Sequence, residues 1–182
     1  MVRSIAMRAL LLVLVLALPA AASAQQSAPL TRDALVTMLS GFEDTPTLAQ
    51  IRALGDGAVP MLIALHDDAQ VIQPVRLRAV EAMGAFSTPE ARTFLLRVIH
   101  DPHESPIVVR EAIEALAQSQ GAASVPQLAA MLSSHERVIR ESAIDALGTI
   151  GTTAARHRLA QHASHEPDAT LRQRITTLTT TR

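Results

Sequence analysis

Four ten-residue segments of this chain can be laid over one another, and a fold that accommodates one of them must accommodate all. VRLRAVEAMG (75–84), VVREAIEALA (108–117), IRESAIDALG (139–148) and TLRQRITTLT (170–179) follow at offsets of 33, 31 and 31 residues. In the first three the fifth position is alanine (Ala79, Ala112, Ala143), the sixth β-branched (Val80, Ile113, Ile144) and the seventh acidic (Glu81, Glu114, Asp145). Alanine returns at the eighth position and Met or Leu at the ninth; the fourth copy keeps only Ile175 and Leu178. An earlier half-copy, TPTLAQIRALG, ends at Leu54 and Gly55. Self-similarity at such a period is the mark of a repeat architecture, in which each unit leaves apolar surface that its neighbour must cover.

A second pattern fills the intervals: AVPMLIALHDD (58–68), PEARTFLLRVIHD (89–101), SVPQLAAMLSSHE (124–136) and AARHRLAQHASHE (154–166). Leu62 with Leu65, Leu95 with Val98, and Leu128 with Met131 recur at i, i+3, the spacing of one helical face. Pro60, Pro89 and Pro126 stand near the starts of these segments, where a missing N–H costs nothing. Gly55, Gly57, Gly84, Gly121, Gly148 and Gly151 fall where units join and are expected as caps and linkers. No strand pattern appears. The reading is all-α: an α-solenoid of about five stacked helical hairpins at 31–54, 57–84, 88–117, 121–148 and 152–179, with 25–30 a flexible leader and 180–182 a tail.

LGDGAVPMLIALHDD followed by VRLRAVEAMG, and GAASVPQLAAMLSS followed by VIRESAIDALGTIG, resemble short HEAT-like repeats of the type seen in phycobilisome lyase subunits. The resemblance covers nearly all of residues 44–151 and fades at both ends. The period of about 31 is shorter than the ~40–47 of long HEAT and armadillo units. The resemblance implies a HEAT-like superhelix that binds other macromolecules. It also implies that an acid in the bend of each unit aligns with an arginine just inside the second helix, giving a ladder of Asp67 with Arg76, Asp101 with Arg110, and Glu136 with Arg140, continued by Arg172.

The amino terminus, MVRSIAMRALLLVLVLALPAAASAQQSAP, places Arg3 and Arg8 before an apolar run that ends in Pro19 and the small residues Ala22, Ser23 and Ala24. It reads as a secretory signal peptide, 1–24, and its apolar stretch is far short of the ~20 residues that span a bilayer. The expected location is the bacterial periplasm or the exterior. Removing it leaves 158 residues and shifts the formal charge from -1 to -3, which excludes a strongly basic nucleic-acid binder. With Cys 0, stability rests on packing alone. All 16 basic residues are arginine, so lysine chemistry such as Schiff-base formation is impossible.

Two sets of side chains are candidates for function. His66, His100, His135 and His165 each neighbour acids in the bends between first and second helices, which lie along one edge. Capping of the second helix by those acids is the simplest role. A metal- or pH-responsive edge is the alternative, with His100 and His103 able to chelate and His162 with Glu166 a second local pair at i, i+4 where the helix runs that far. The second helices line the concave face in this kind of repeat, and Glu81, Glu114 and Asp145, with Arg78, Glu111 and Glu141 three or four residues before them, form an acidic stripe there. Such a stripe suits a basic or extended protein or peptide partner. No GxSxG, HExxH, P-loop or GxGxxG motif occurs, so the chain is expected not to be an enzyme, to need no cofactor, and to act as a monomeric interaction scaffold.

Overall fold

The computed structural model describes residues 30–41 and 45–180; the leader and signal-peptide readings lie outside the described residues. Ten α-helices follow in order among the described residues: α1 Arg32–Ser40, α2 Leu48–Arg52, α3 Ala58–Asp67, α4 Gln73–Ala82, α5 Pro89–His100, α6 Pro106–Gln120, α7 Val125–Met131, α8 Arg137–Ile150, α9 Thr153–His162 and α10 Ala169–Thr180. Short 3-10 turns extend α4 (Met83–Ala85) and precede α7 (Gly121–Ser124). Local chemistry explains many of the starts. The hydroxyls of Thr31, Thr88, Ser105 and Thr152 accept the backbone N–H three residues on, and Thr47 with Gln50 closes a capping box. Pro89 and Pro106 follow their caps directly.

α3 pairs with α4, α5 with α6, α7 with α8 and α9 with α10, while α4, α6, α8 and α10 pack side by side in one layer. This is an all-α HEAT-like solenoid. The repeat positions explain the layer: Val80, Ile113, Ile144 and Ile175 are all fully buried, as are Ala79, Ala112 and Ala143, whose small side chains let neighbouring helices approach. Two glycines read as caps serve that approach instead. A Cβ on Gly148, inside α8, would meet Leu178 of α10 at 2.7 Å, and one on Gly84 would meet Gln118 and the Ala115 backbone of α6. Gly151 does terminate α8, with φ 59° and its N–H donated to Leu147 O at 3.1 Å.

The first unit departs from the expected hairpin. Arg32 at the start of α1 pairs with Asp68 in the α3–α4 bend, and Arg78 on α4 donates to Leu39 O and Gly41 O at the end of α1, both at 2.6 Å. α1 therefore runs in the same direction as α4 and lies against it, in line with the second helices, and α2 packs on the 3-10 turn that follows α4.

Candidate functional site

The exposed side of the second-helix layer gathers five carboxylates from three helices: Glu81 on α4, Glu111 and Glu114 on α6, and Glu141 and Asp145 on α8. Their mutual influence shows that they share a surface. The Glu81 carboxyl is pushed up by partial burial and then by Glu111, with Arg78 opposing. Glu114 is raised by burial and by Glu111, then further by Asp145 and Glu81, with Arg110 opposing. Asp145 is raised by burial and by Glu141 against the pull of Arg174. Glu111 accepts from Arg110 at 2.6 Å, Asp145 from Arg174 at 2.6 Å and Glu141 from Arg137 at 2.7 Å. Arg78 lies beside Glu81 and opposes the rise of its carboxyl, while its guanidinium also donates to the carbonyls of Leu39 and Gly41 that end α1. Between the later halves of α6 and α8 a cavity of about 470 Å³ is lined by Ala117, Ala146 and Ile150, with Glu114 and Asp145 at its border.

The bend ladder is not built as the resemblance implied. Asp67 does not meet Arg76; it takes a two-oxygen contact from Arg97 of the next unit at 2.9 and 3.0 Å, while Arg76 donates to the carbonyl of His66 at 2.7 Å. Asp101 accepts the His103 N–H at 2.9 Å, and Arg110 turns along its own helix to Glu111. Glu136 precedes α8 without capping it through its side chain, and Arg140 passes it by to bind Glu166 at 3.1 and 3.2 Å as well as the carbonyls of Ser134 and His135. Asp67 takes its arginine from the next unit and Glu166 from the preceding one, while Arg76, Arg140 and Arg172 reach the backbone carbonyls of their own bends.

Two further pairs hold the bends; the i, i+4 spacing of His162 and Glu166 is visible in the sequence, their other partners are not. Glu166, its side chain 0 % exposed, accepts Arg140, His162 at 3.0 Å and the Asp168 N–H at 3.0 Å. Burial alone would raise that carboxyl, but the bonds from Arg140, Asp168 N–H and His162 hold it below the usual range. His66, 2 % exposed, places Nε2 3.1 Å from Glu104 of the next bend and its ring edge against Phe94; burial lowers its pKa, with Nδ1 left without a partner. His100 and His103 stand exposed on either side of Asp101, and among the described residues no three His, Asp or Glu side chains form a group that could hold a metal. The signal for the between-unit pairs was present: Asp67 to Arg97, Arg137 to Asp168 and Glu141 to Arg174 are each about one period apart.

Family comparison agrees with the repeat fold. Residues 102–179 match the model of HEAT repeats, and residues 75–101 that of the PBS lyase HEAT-like repeat. No curated protein matches by sequence. Among the solved structures that match is the complex of CpcE and CpcF of phycocyanin lyase from Nostoc sp. PCC7120, at 21% identity and a TM-score of 0.50, covering 86% of this chain and 68% of that one. The expectation that the chain is not an enzyme does not stand. The repeat model over 75–101 is that of PBS lyase and the similar structure is a lyase, so missing familiar motifs are no ground for excluding catalysis on this scaffold. Residues 75–179 thus carry HEAT-type repeats, and the described chain is a HEAT-like solenoid.

Proposed function

We propose that the chain is an exported scaffold that holds a basic, extended segment of a protein partner along the acidic face of its second helices. The observation that carries this reading is the crowding of Glu81, Glu111, Glu114, Glu141 and Asp145, three of them with raised carboxyls. Partial burial raises these carboxyls most and neighbouring carboxylates add to it, a cost in the free protein that an incoming cation relieves. The comparison with a two-subunit lyase complex supports a protein as partner. The scarcity of aromatics, Phe 3 with no Tyr or Trp, leaves charge and aliphatic contact as the means of attachment. Binding is then fast, salt-sensitive and of modest affinity.

The test is fluorescence anisotropy with a labelled, extended arginine-rich peptide, on the parent protein and on a triple variant Glu81→Arg, Glu114→Arg, Asp145→Arg whose helicity is checked by circular dichroism. The triple variant is expected to lose at least about tenfold in affinity. Equal affinity in a folded variant removes the acidic face from consideration. Export rests on residues 1–24 and is read by fractionating cells and sequencing the mature amino terminus, expected at Gln25.

A further inference from the structure

On the bend edge, away from the acidic stripe, the fourth and fifth hairpins part into a cavity of about 570 Å³ bordered by Ser134, His135, Arg140, Arg158, His162 and His165. That volume lies in the range of small-molecule sites. Among the described residues no carboxylate lines it. Glu166, whose side chain is wholly buried, has its oxygens already taken by Arg140, His162 and the Asp168 N–H. Arg140 therefore answers Glu166, and the charge of Arg158 is left over.

Arg158 is singular in another respect. Once the Gln127 amide is oriented so that its oxygen accepts from Arg92 at 3.0 Å, Arg158 alone of the described arginines has no carboxylate, carbonyl or amide partner. Arg158 comes from α9, on the same face as His162 whose Nε2 is held by Glu166, while His135 comes from the bend before α8, so side chains from two repeats line one opening. His165 turns Nδ1 toward Gln161 O at 3.2 Å, which leaves Nε2 for the cavity side. Serine hydroxyls of Ser133 and Ser134 add further donors.

We infer that this cleft binds a small multivalent oxyanion, gripped by Arg158 and bridged between the fourth and fifth hairpins. A guanidinium fork matches the paired oxygens of a phosphate or carboxylate, and a ligand held from both hairpins ties the last unit to the array. The site stands apart from the acidic face, so it concerns a second ligand and not the polypeptide proposed above.

Isothermal titration at low ionic strength, with sodium pyrophosphate and, in a separate titration, sodium citrate, tests the assignment on the parent protein and on Arg158→Glu and Arg92→Glu. Saturable one-to-one binding of at least one anion is expected. Arg158→Glu weakens it about tenfold or more, the worth of one charge-assisted bond. Arg92→Glu, the same charge change outside the cleft, leaves it within about twofold, below the reach of one such bond. Pyrophosphate alone identifies phosphate groups as the source, citrate alone carboxylates, and both together the oxyanion class. Absence of saturable heat with either anion overturns the assignment, as does equal weakening by the two variants.

Discussion

Replacing Arg140 by leucine asks how much one between-unit ion pair contributes to the array. The guanidinium makes three contacts of 3.1–3.2 Å to Glu166 and two more to the carbonyls of Ser134 and His135 at 3.0 and 3.2 Å, and Glu166 itself is 0 % exposed. Arg140→Leu keeps the aliphatic bulk and leaves a buried carboxylate with only His162 and one backbone N–H. Breaking one partner of a buried pair costs about 3–5 kcal/mol. For a chain of this length that lowers the melting temperature by roughly 10 °C, read by circular dichroism at neutral pH. The pH dependence has a definite sign. In the parent, Glu166 is held below its ordinary range, so its contribution is present above the unfolded value of ~4.3 and fades as pH falls through the native value. In the variant burial dominates, the carboxyl takes up a proton in mild acid, and the difference between the two proteins narrows from pH 7 toward pH ~5. A second variant, Arg140→Leu with Glu166→Leu, recovers most of the loss, since an apolar pair removes the buried charge altogether. A gap under about 1 kcal/mol at pH 7, or one that stays constant to pH ~5, refutes the reasoning.

Two further titrations separate the acidic face from the bend edge. Glu114→Gln removes a carboxyl whose native pKa is raised, so at pH 7 the variant is slightly more stable than the parent, by less than ~1 kcal/mol because the side chain is half exposed, and the gain disappears below pH ~4.3. His66→Gln acts in the opposite sense: the native imidazole resists protonation, so its contribution is present above ~6.5 and is lost as pH falls, and the stability difference between parent and variant shrinks from pH 7 to ~5 in thermal melts.

The solenoid could be read from the sequence because its causes are local. A repeating column of Ala, β-branched residue and Leu sets which face of each second helix is buried, and Val80, Ile113, Ile144 and Ile175 occupy that column at full burial. The bends could not be read in the same way. Sequence proximity put Asp67 beside Arg76, but the partner that geometry supplies is Arg97, thirty residues on, because stacking brings equivalent positions together. The amino-terminal unit failed for a related reason. LAQIRALG looks like the end of a second helix, yet α2 is only five residues long, and it is α1 that is tied to the α3–α4 bend by Arg32 and to α4 by Arg78. Gly84 and Gly148 illustrate the remaining difficulty: a glycine at a unit boundary reads as a cap until the neighbouring helix, which makes the close approach necessary, is in place.

The same arginines explain why an acidic face remains in a chain whose formal charge is only -1. Arg52, Arg76, Arg78, Arg140, Arg156 and Arg172 each donate to backbone carbonyls, mostly those that end a helix and carry the negative end of its dipole. A guanidinium can serve two carbonyls, or a carbonyl and a carboxylate, from one planar group, which a lysine ammonium on its flexible stem does less well. That use leaves Arg110, Arg137 and Arg174 as the guanidiniums paired with the stripe, with Arg78 shared between Glu81 and the end of α1, so arginines do not match its carboxylates one for one. The carboxylate stripe is therefore the counterpart of how the bends are held. Its attraction for a cationic segment follows from the positions of five acids and not from net charge, so neutralising arginines elsewhere on the surface leaves that attraction unchanged, whereas moving a single carboxylate out of the column weakens it.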